Sequence, residues 1–460
     1  MRVSPWIVLA GLFPAVASAA RGDDTAAVGS SSDATFWERG HVDLGYTFRA
    51  ANGHGIQPHE QDQRTTETLF FEAGWGQHFR MEFSGMATED IDGRPLVSRF
   101  RDIYDTYGSQ WALGYVYTAY VEGLELGPVQ RLRLGRQYLA DGVDVRFDGG
   151  LLETAPLADM VRFIAYGGVP VHFFESSVGG DWIAGGAVEV VAIPRTSIRF
   201  DYTHVTDYWN SLARQNLALG LPADDLREDN RYQVTVAVRP IEELKLMGRA
   251  TTFGGHSTRA EAEVFFLQAD AGFTGRIHYA AQIGAYEDLS LQWTPLDQQL
   301  GPVAPYQEVT LDLTQTVGEH VILGAGGSYR GLFKRSDEGP FNHEFGRAYG
   351  QVTVMSWPWD GLSLDVAADY YRGISMGRTF EIVGSLGQDL PGGVKLGIGS
   401  SWSAFAFDQF FLTEEENVRT YFANAEWRPT SFFRLKASYS YQTDSQDRYH
   451  VVECHARIDF

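Results

Sequence analysis

The chain has 460 residues and a formal net charge of −22, with 44% hydrophobic and 13% aromatic residues, 50 glycines and one cysteine. That acidity argues against nucleic acid and against a polybasic membrane-surface role. The single cysteine, Cys454, rules out an intrachain disulfide, a CxxCH haem attachment site and a cysteine-rich zinc site.

Met1 and Arg2 precede an apolar stretch from Trp6 to Val16, followed by Ala17-Ser18-Ala19. This reads as a secretory signal peptide (1–19) cleaved near Ala19, too short to span a membrane as a helix. Pro5 and Pro14 speak against a buried N-terminal helix. No cysteine follows the cleavage site, so a lipid anchor is not expected. Residues 20–35 are polar and small, a flexible periplasmic lead-in. Beyond them no apolar run reaches eighteen residues, which excludes membrane helices but not membrane strands.

From 36 to 460 the chain reads as alternating segments of nine to twelve residues. Val42, Leu44, Tyr46 and Phe48 share a face, as do Leu69, Phe71, Ala73 and Trp75, then Phe79, Met81 and Phe83. Tyr232–Val238, Ile277–Ala285, Leu362–Tyr370, Phe380–Leu386 and Phe433–Tyr441 repeat the pattern. Short connections with turn chemistry (Gly76-Gln77, Pro194-Arg195-Thr196, Pro358–Gly361) alternate with longer ones (Ala50–Glu67, Ala87–Gln110, Asp207–Asp229, Glu287–Pro305, Leu332–His343, Ala404–Asn417). Short periplasmic turns and long outer loops mark transmembrane barrels. The segments around Val143–Gly168 alternate poorly. The predicted fold is all-β: a closed antiparallel transmembrane β-barrel of even strand number, about 18–22 strands, with no plug and no separate periplasmic domain.

Aromatics beside the short turns (Trp75, Phe79, Trp357, Trp359, Trp427, Phe432) and beside the long loops (Trp111, Trp182, Tyr329, Tyr370, Tyr371) suit two membrane–water boundaries. The chain ends Val-Val-Glu-Cys-His-Ala-Arg-Ile-Asp-Phe, with Val452, Cys454, Ala456, Ile458 and Phe460 on one face. A terminal strand of this kind needs a neighbour on each side. Its final Phe460 resembles the signal by which outer-membrane barrels engage the barrel-assembly machinery.

The same parity turns Arg80, Arg131, Arg133, Arg162, Arg199, Arg231, Arg239, Lys245, Arg249 and Arg276 inward, then Glu308, Asp312, Asp365, Asp369 and Glu381 with Arg330 and Arg347. These are the candidate pore-lining and substrate-guiding residues. A lumen so polar is wet or plugged, not packed with apolar side chains. Its basic and acidic walls either face each other and set a transverse field, or pair across neighbouring strands and solvate the interior. The remaining acid excess falls in predicted loops: Glu89, Asp90, Asp92, Asp224, Asp225 and Glu414 to Glu416. Acidic outer loops are candidates for divalent cations near lipopolysaccharide.

No GxSxG or HExxH is present, and no paired Ser and His lie on adjacent rims, so catalysis is not expected. His54, His59 and Glu60 are too loosely spaced for a metal site. Asp90-Ile91-Asp92-Gly93 lacks the later ligands of a calcium loop. Neither a metal nor a cofactor is predicted.

Arg131-Leu132-Arg133-Leu134-Gly135-Arg136-Gln137, then Arg146-Phe147-Asp148-Gly149-Gly150 and Val161-Arg162-Phe163, resembles the alginate-export family of outer-membrane barrels. The resemblance covers about 35 residues. It implies a wide barrel conducting an anionic exopolysaccharide, with Arg131, Arg133 and Arg162 guiding the polymer and periplasmic export proteins as partners. The lumen is less uniformly basic than that role requires. A porin for small hydrophilic solutes and a sheath around an electron-carrying cytochrome stand as alternatives. In each case the expected setting is a monomer in the outer membrane, among its lipids and lipopolysaccharide. The expected constriction is the loop Asp207–Asp229.

Overall fold

The computed structural model describes residues 36–53, 59–91, 112–139, 145–171, 180–209, 225–254, 257–284, 304–338, 342–373, 378–408, 413–444 and 447–460. The signal peptide, the lead-in, Trp111 and residues 210–224 of the expected constriction lie outside them, as do His54 and Asp92.

The described residues form twenty-two strands. They are β1 (Phe36–Gly53), β2 (His59–Trp75), β3 (Phe79–Asp90), β4 (Ala112–Leu126), β5 (Val129–Leu139), β6 (Val145–Thr154), β7 (Val161–Pro170) and β8 (Trp182–Val190). Next come β9 (Thr196–Trp209), β10 (Asp225–Ile241), β11 (Leu244–Phe253), β12 (Ser257–Gln268), β13 (Phe273–Ile283), β14 (Tyr306–Val317) and β15 (Val321–Leu332). The last are β16 (Phe345–Met355), β17 (Leu362–Gly373), β18 (Arg378–Leu390), β19 (Val394–Asp408), β20 (Thr413–Thr430), β21 (Phe433–Thr443) and β22 (Asp447–Asp459). Each pairs antiparallel with the next, and β22 pairs with β1 to close the sheet. Main-chain bonds join Gly40 and Phe460 in both directions, 2.8 and 2.9 Å. With no free edge, every strand meets a partner on both sides.

The turns after even-numbered strands are two to six residues long and lie at the same end as the start of β1 and the end of β22. We call this the turn end, and the opposite one the far end. Several far-end links are equally short. Gly53 and His59 are separated by five residues, and Asp408 and Thr413 by four. The expected loops Ala50–Glu67 and Ala404–Asn417 are largely strand, and the described ends of Asp207–Asp229, 207–209 and 225–229, belong to β9 and β10. The acids Glu89, Asp90, Asp225 and Glu414 to Glu416 therefore belong to strands as well. About ten tilted residues cross the bilayer, whereas β1 and β20 have 18 and β2 and β10 have 17. Past the bilayer both faces meet water, so the ladder continues after the apolar alternation stops.

β6 and β7 fill the weakly alternating stretch with ten residues each. Their inner faces carry apolar side chains too, and this is what erased the period.

The outer surface carries the apolar set. Leu44, Leu134, Phe200, Ile277, Leu311 and Ile398 are 40–61% exposed, as lipid-facing side chains must be. At the turn end Trp75, Phe79, Trp357, Trp359, Trp427 and Phe432 are exposed by 45–61%, and at the far end Trp182, Tyr329 and Tyr370 by 38–51%. Tyr371 departs from the expected girdle. It pairs in register with lumen-facing Arg347 and stacks on Phe345 at 5.0 Å, so it points inward.

Candidate functional site

Among the described residues the lumen wall carries a long run of charged side chains, and it begins with an ion-pair ladder. Starting on β1, Arg39 binds Glu72 of β2 (2.6 Å), and Arg80 of β3 binds the same carboxylate at 2.5 Å. Arg80 also reaches Glu82 (2.9 Å) and Glu122 of β4 (3.8 Å). Glu122 accepts from Arg133 (2.7 Å) and lies 3.2 Å from Arg131, both on β5. Arg131 continues to Glu153 of β6 (3.6 Å), Glu153 to Arg162 of β7 (3.3 Å), and Arg162 to Glu189 of β8 (3.3 Å). Alternating charges thus cross eight consecutive strands without a gap. Cross-strand neighbours on one face stand about 5 Å apart, which lets each long side chain touch the next.

The sequence-predicted arginines all sit on this inner face, but not as a bare basic wall. Arg199 binds Asp201 (2.7 Å), Arg231 binds Asp229 (2.9 Å), Arg249 approaches Glu261 (3.7 Å) and Arg276 binds Glu263 (2.6 Å). Arg239 turns to the Glu242 carbonyl at the turn end (2.7 Å). Lys245 lies on the lumen face in register with Phe265. Of the two arrangements that the sequence left open, a transverse field or pairing across neighbouring strands, these contacts are of the second kind, and near-neutral ladders stand where a basic wall would.

The acidic residues occupy β14 to β18. Glu308 faces Arg330 in register, and the Arg330 guanidinium lies 3.8 Å over the Tyr306 ring. Asp312 faces Arg276 and accepts from the Tyr349 hydroxyl. Asp365 accepts from Thr353 (2.6 Å), Asp369 from Arg347 Nε (2.8 Å), and Glu381 lies across from Asp369.

Sequence reading missed Glu72, Glu82, Glu122, Glu153, Glu189, Asp201 and Asp229, the acids beneath the arginines. For Glu72 and Glu82 the signal was present, since both stand at inward parity on segments that alternate clearly, whereas Glu153 falls in the weakly alternating stretch and Asp229 at the end of an expected loop.

Partners in the ladder are unequally exposed. Glu72 and Glu122 are 1–2% accessible, whereas Arg39 is 68% and Arg131 42%. The carboxylates lie against the wall and the guanidiniums over them, heads toward the lumen. Arg276 (49%) over Glu263 (15%) repeats this on the other side of the barrel.

One part of the lumen face is not polar. Leu139, Val145, Phe147, Leu151, Tyr166, Ile183 and Val205 form a buried cluster on β5 to β9 toward the far end. Tyr166 lies across Gly185, where an added Cβ would come within 2.4 Å of its hydroxyl, and it hydrogen-bonds Thr203. This corrects the expectation of a lumen without apolar packing.

His59 and Glu60 fall on β2, but their side chains lie outside the described residues, as does His54.

Fold and wall together define a closed 22-strand transmembrane β-barrel with a charged lumen. No known protein family matches the sequence, and no curated protein matches it. Among solved structures the P pilus usher (PapC) translocation pore superimposes with a TM-score of 0.50 at 9% identity, over 91% of this chain and 99% of that one. OccAB4 of Acinetobacter baumannii gives 0.46 at 9% identity, over 93% and 99%. A BenF-like porin from Pseudomonas fluorescens Pf-5 gives 0.43 at 8%, over 92% and 99%. At these identities the likeness is one of fold. The alginate-export resemblance gains no support from them.

Proposed function

We propose that this chain is an outer-membrane channel for small hydrophilic solutes, with a preference for anions. The observation that carries the reading is the exposure of lumen arginines. Arg39, Arg131 and Arg276 keep 42–68% of their side-chain surface accessible inside a closed barrel, so water reaches the wall. A 22-strand barrel is about 40 Å across from backbone to backbone, wider than side chains alone fill. Guanidiniums facing that water offer donors to carboxylate- or phosphate-bearing solutes, while the carboxylates beneath hold them in place.

Export of an anionic polysaccharide is the weaker reading, because near-neutral ladders provide no continuous track of uncompensated positive charge. The channel works as a monomer, docked through Phe460 by the assembly machinery, and needs neither catalytic residue nor cofactor. The test is conductance in planar bilayers. Purified barrel gives discrete open-channel steps with a reversal potential on the anion side, and Arg131→Gln with Arg133→Gln moves it toward cations. Folded protein without conductance steps overturns the reading. A deletion strain that loses secreted polymer but keeps solute uptake favours the exporter, and copurification with a haem protein favours a sheath.

A further inference from the structure

Four arginines stand at one height on the outer face of β17 to β22. Tyr370, Ile382, Tyr421 and Ile458 are 38–47% exposed and mark the outward parity of β17, β18, β20 and β22. Arg372, Arg378, Arg419 and Arg448 share that parity and are exposed. Counted from the turn end, Arg372 is ten residues past Leu362, while Arg378, Arg419 and Arg448 precede Leu390, Thr430 and Asp459 by twelve, eleven and eleven. A tilted strand crosses the bilayer in about ten residues, so all four lie at the far headgroup level. Two residues nearer the turn end, each strand carries a ring: Tyr370, Phe380, Tyr421 and His450. Phe380 meets Trp402 edge-on at 6.0 Å, Tyr421 stacks on Tyr441 at 6.4 Å, and Tyr441 lies 4.9 Å from His450.

The sheet sets these arginines in two rows. Arg372 and Arg378 are direct cross-strand partners. Arg419 and Arg448 flank Thr443, each in register with it. Like charges directly opposite destabilise a sheet. Among the described residues no acid forms an ion pair with any of the four. The links 374–377, 409–412 and 445–446 contain no acid in the sequence. Glu344, two residues from Arg372's register partner Gly346, accepts from the Tyr329 hydroxyl at 3.3 Å. Glu414 to Glu416 stand three to five residues beyond Arg419 along β20.

We propose that this face binds a lipopolysaccharide molecule of the outer leaflet, with one phosphoryl group between Arg372 and Arg378 and another on Arg419, Thr443 and Arg448. Its acyl chains then run down over the rings. The assignment rests on the outer-membrane reading with the far end outside. Forked guanidinium donors match phosphate oxygens, and the rings sit where interfacial aromatics belong. A bound phosphoryl group offsets the repulsion between Arg372 and Arg378, and two basic rows suit a glycolipid with two phosphoryl groups.

The test uses full-length barrel in phosphatidylcholine nanodiscs, titrated with lipopolysaccharide, with the same glycolipid after dephosphorylation, and with phosphatidylglycerol. Heat-modifiable gel migration certifies folding of each variant. Arg372→Gln with Arg378→Gln weakens lipopolysaccharide binding about twenty-five-fold, and Arg419→Gln with Arg448→Gln does the same. Arg195→Gln, in the turn between β8 and β9 at the opposite end, leaves binding unchanged; equal weakening there overturns the proposal in favour of net charge. Arg378→Gln alone weakens binding about fivefold yet raises the urea midpoint of the barrel in phosphatidylcholine, because it relieves the repulsion. A lowered midpoint means that the pair is held from within the protein, and overturns the site. Dephosphorylated glycolipid binds the unaltered barrel as weakly as either double variant, and equal affinity for the two glycolipids overturns the proposal. Phosphatidylglycerol binding as tightly as lipopolysaccharide overturns it in favour of generic anion attraction. Bilayer conductance of the same preparation separates the two readings: intact steps without phosphate dependence sink this site alone, and absent steps sink the channel.

Discussion

Glu122 is 1% exposed yet touches three arginines, Arg80, Arg131 and Arg133. Removing its charge leaves Arg80 with Glu72 and Glu82 and Arg131 with Glu153, while Arg133 keeps the Tyr120 ring, 4.0 Å from its centroid. Glu122→Gln is expected to destabilise the barrel by about 3 kcal/mol in urea titrations, less than a fully buried orphan because Arg131 keeps contact with water. In bilayers the same variant shifts the reversal potential further toward anions. The opposite signs of the Glu122→Gln and Arg131→Gln/Arg133→Gln shifts are what a wall charge predicts and a general loss of structure does not. At this scale the sequence was half legible. Parity placed the arginines inward, and the same rule applied to Glu72 and Glu82 would have found two of their partners. The order of depth, with carboxylate below and guanidinium above, depends on cross-strand neighbours and has no sequence signature.

Among elements, the β1–β22 seam decides closure. A Cβ at Gly40 would meet the Phe70 carbonyl at 2.6 Å and the Phe460 ring at 2.9 Å, and a backbone oxygen cannot yield. Gly40→Val is expected to reduce the heat-modifiable folded fraction several-fold. Gly114→Ala on β4, where nothing lies within 4 Å, leaves it unchanged. Strand existence was readable wherever one face met lipid and the other water, as in β14, where exposed Val309, Leu311 and Leu313 alternate with Glu308 and Asp312. It failed where that contrast is missing. β6 and β7 carry apolar residues on both faces, and the far portion of β2, from Gln61 to Thr66, is polar on both. Tyr371 was misplaced for a related reason: Tyr370 and Tyr371 are adjacent aromatics, and only register shows which of them faces lipid.

For the whole molecule, the outward belt predicts behaviour in solution. Purified barrel is expected to remain monodisperse in detergent and to precipitate when detergent is removed, as measured by light scattering; a soluble folded monomer would contradict the membrane assignment. By itself the sequence determined the all-β class, the alternation of lipid and water faces, and an even number of strands. Those follow from a period of two and from turn chemistry, which are local. Tertiary structure decided the count of twenty-two, the pairing of Arg80, Arg131, Arg133, Arg162, Arg199, Arg231, Arg249, Arg276 and Arg347 with acids, the stacking of Arg330 on Tyr306, and the buried apolar patch around Phe147. Each of these depends on which residue stands opposite which across a ladder, and that relation is set only when the sheet closes.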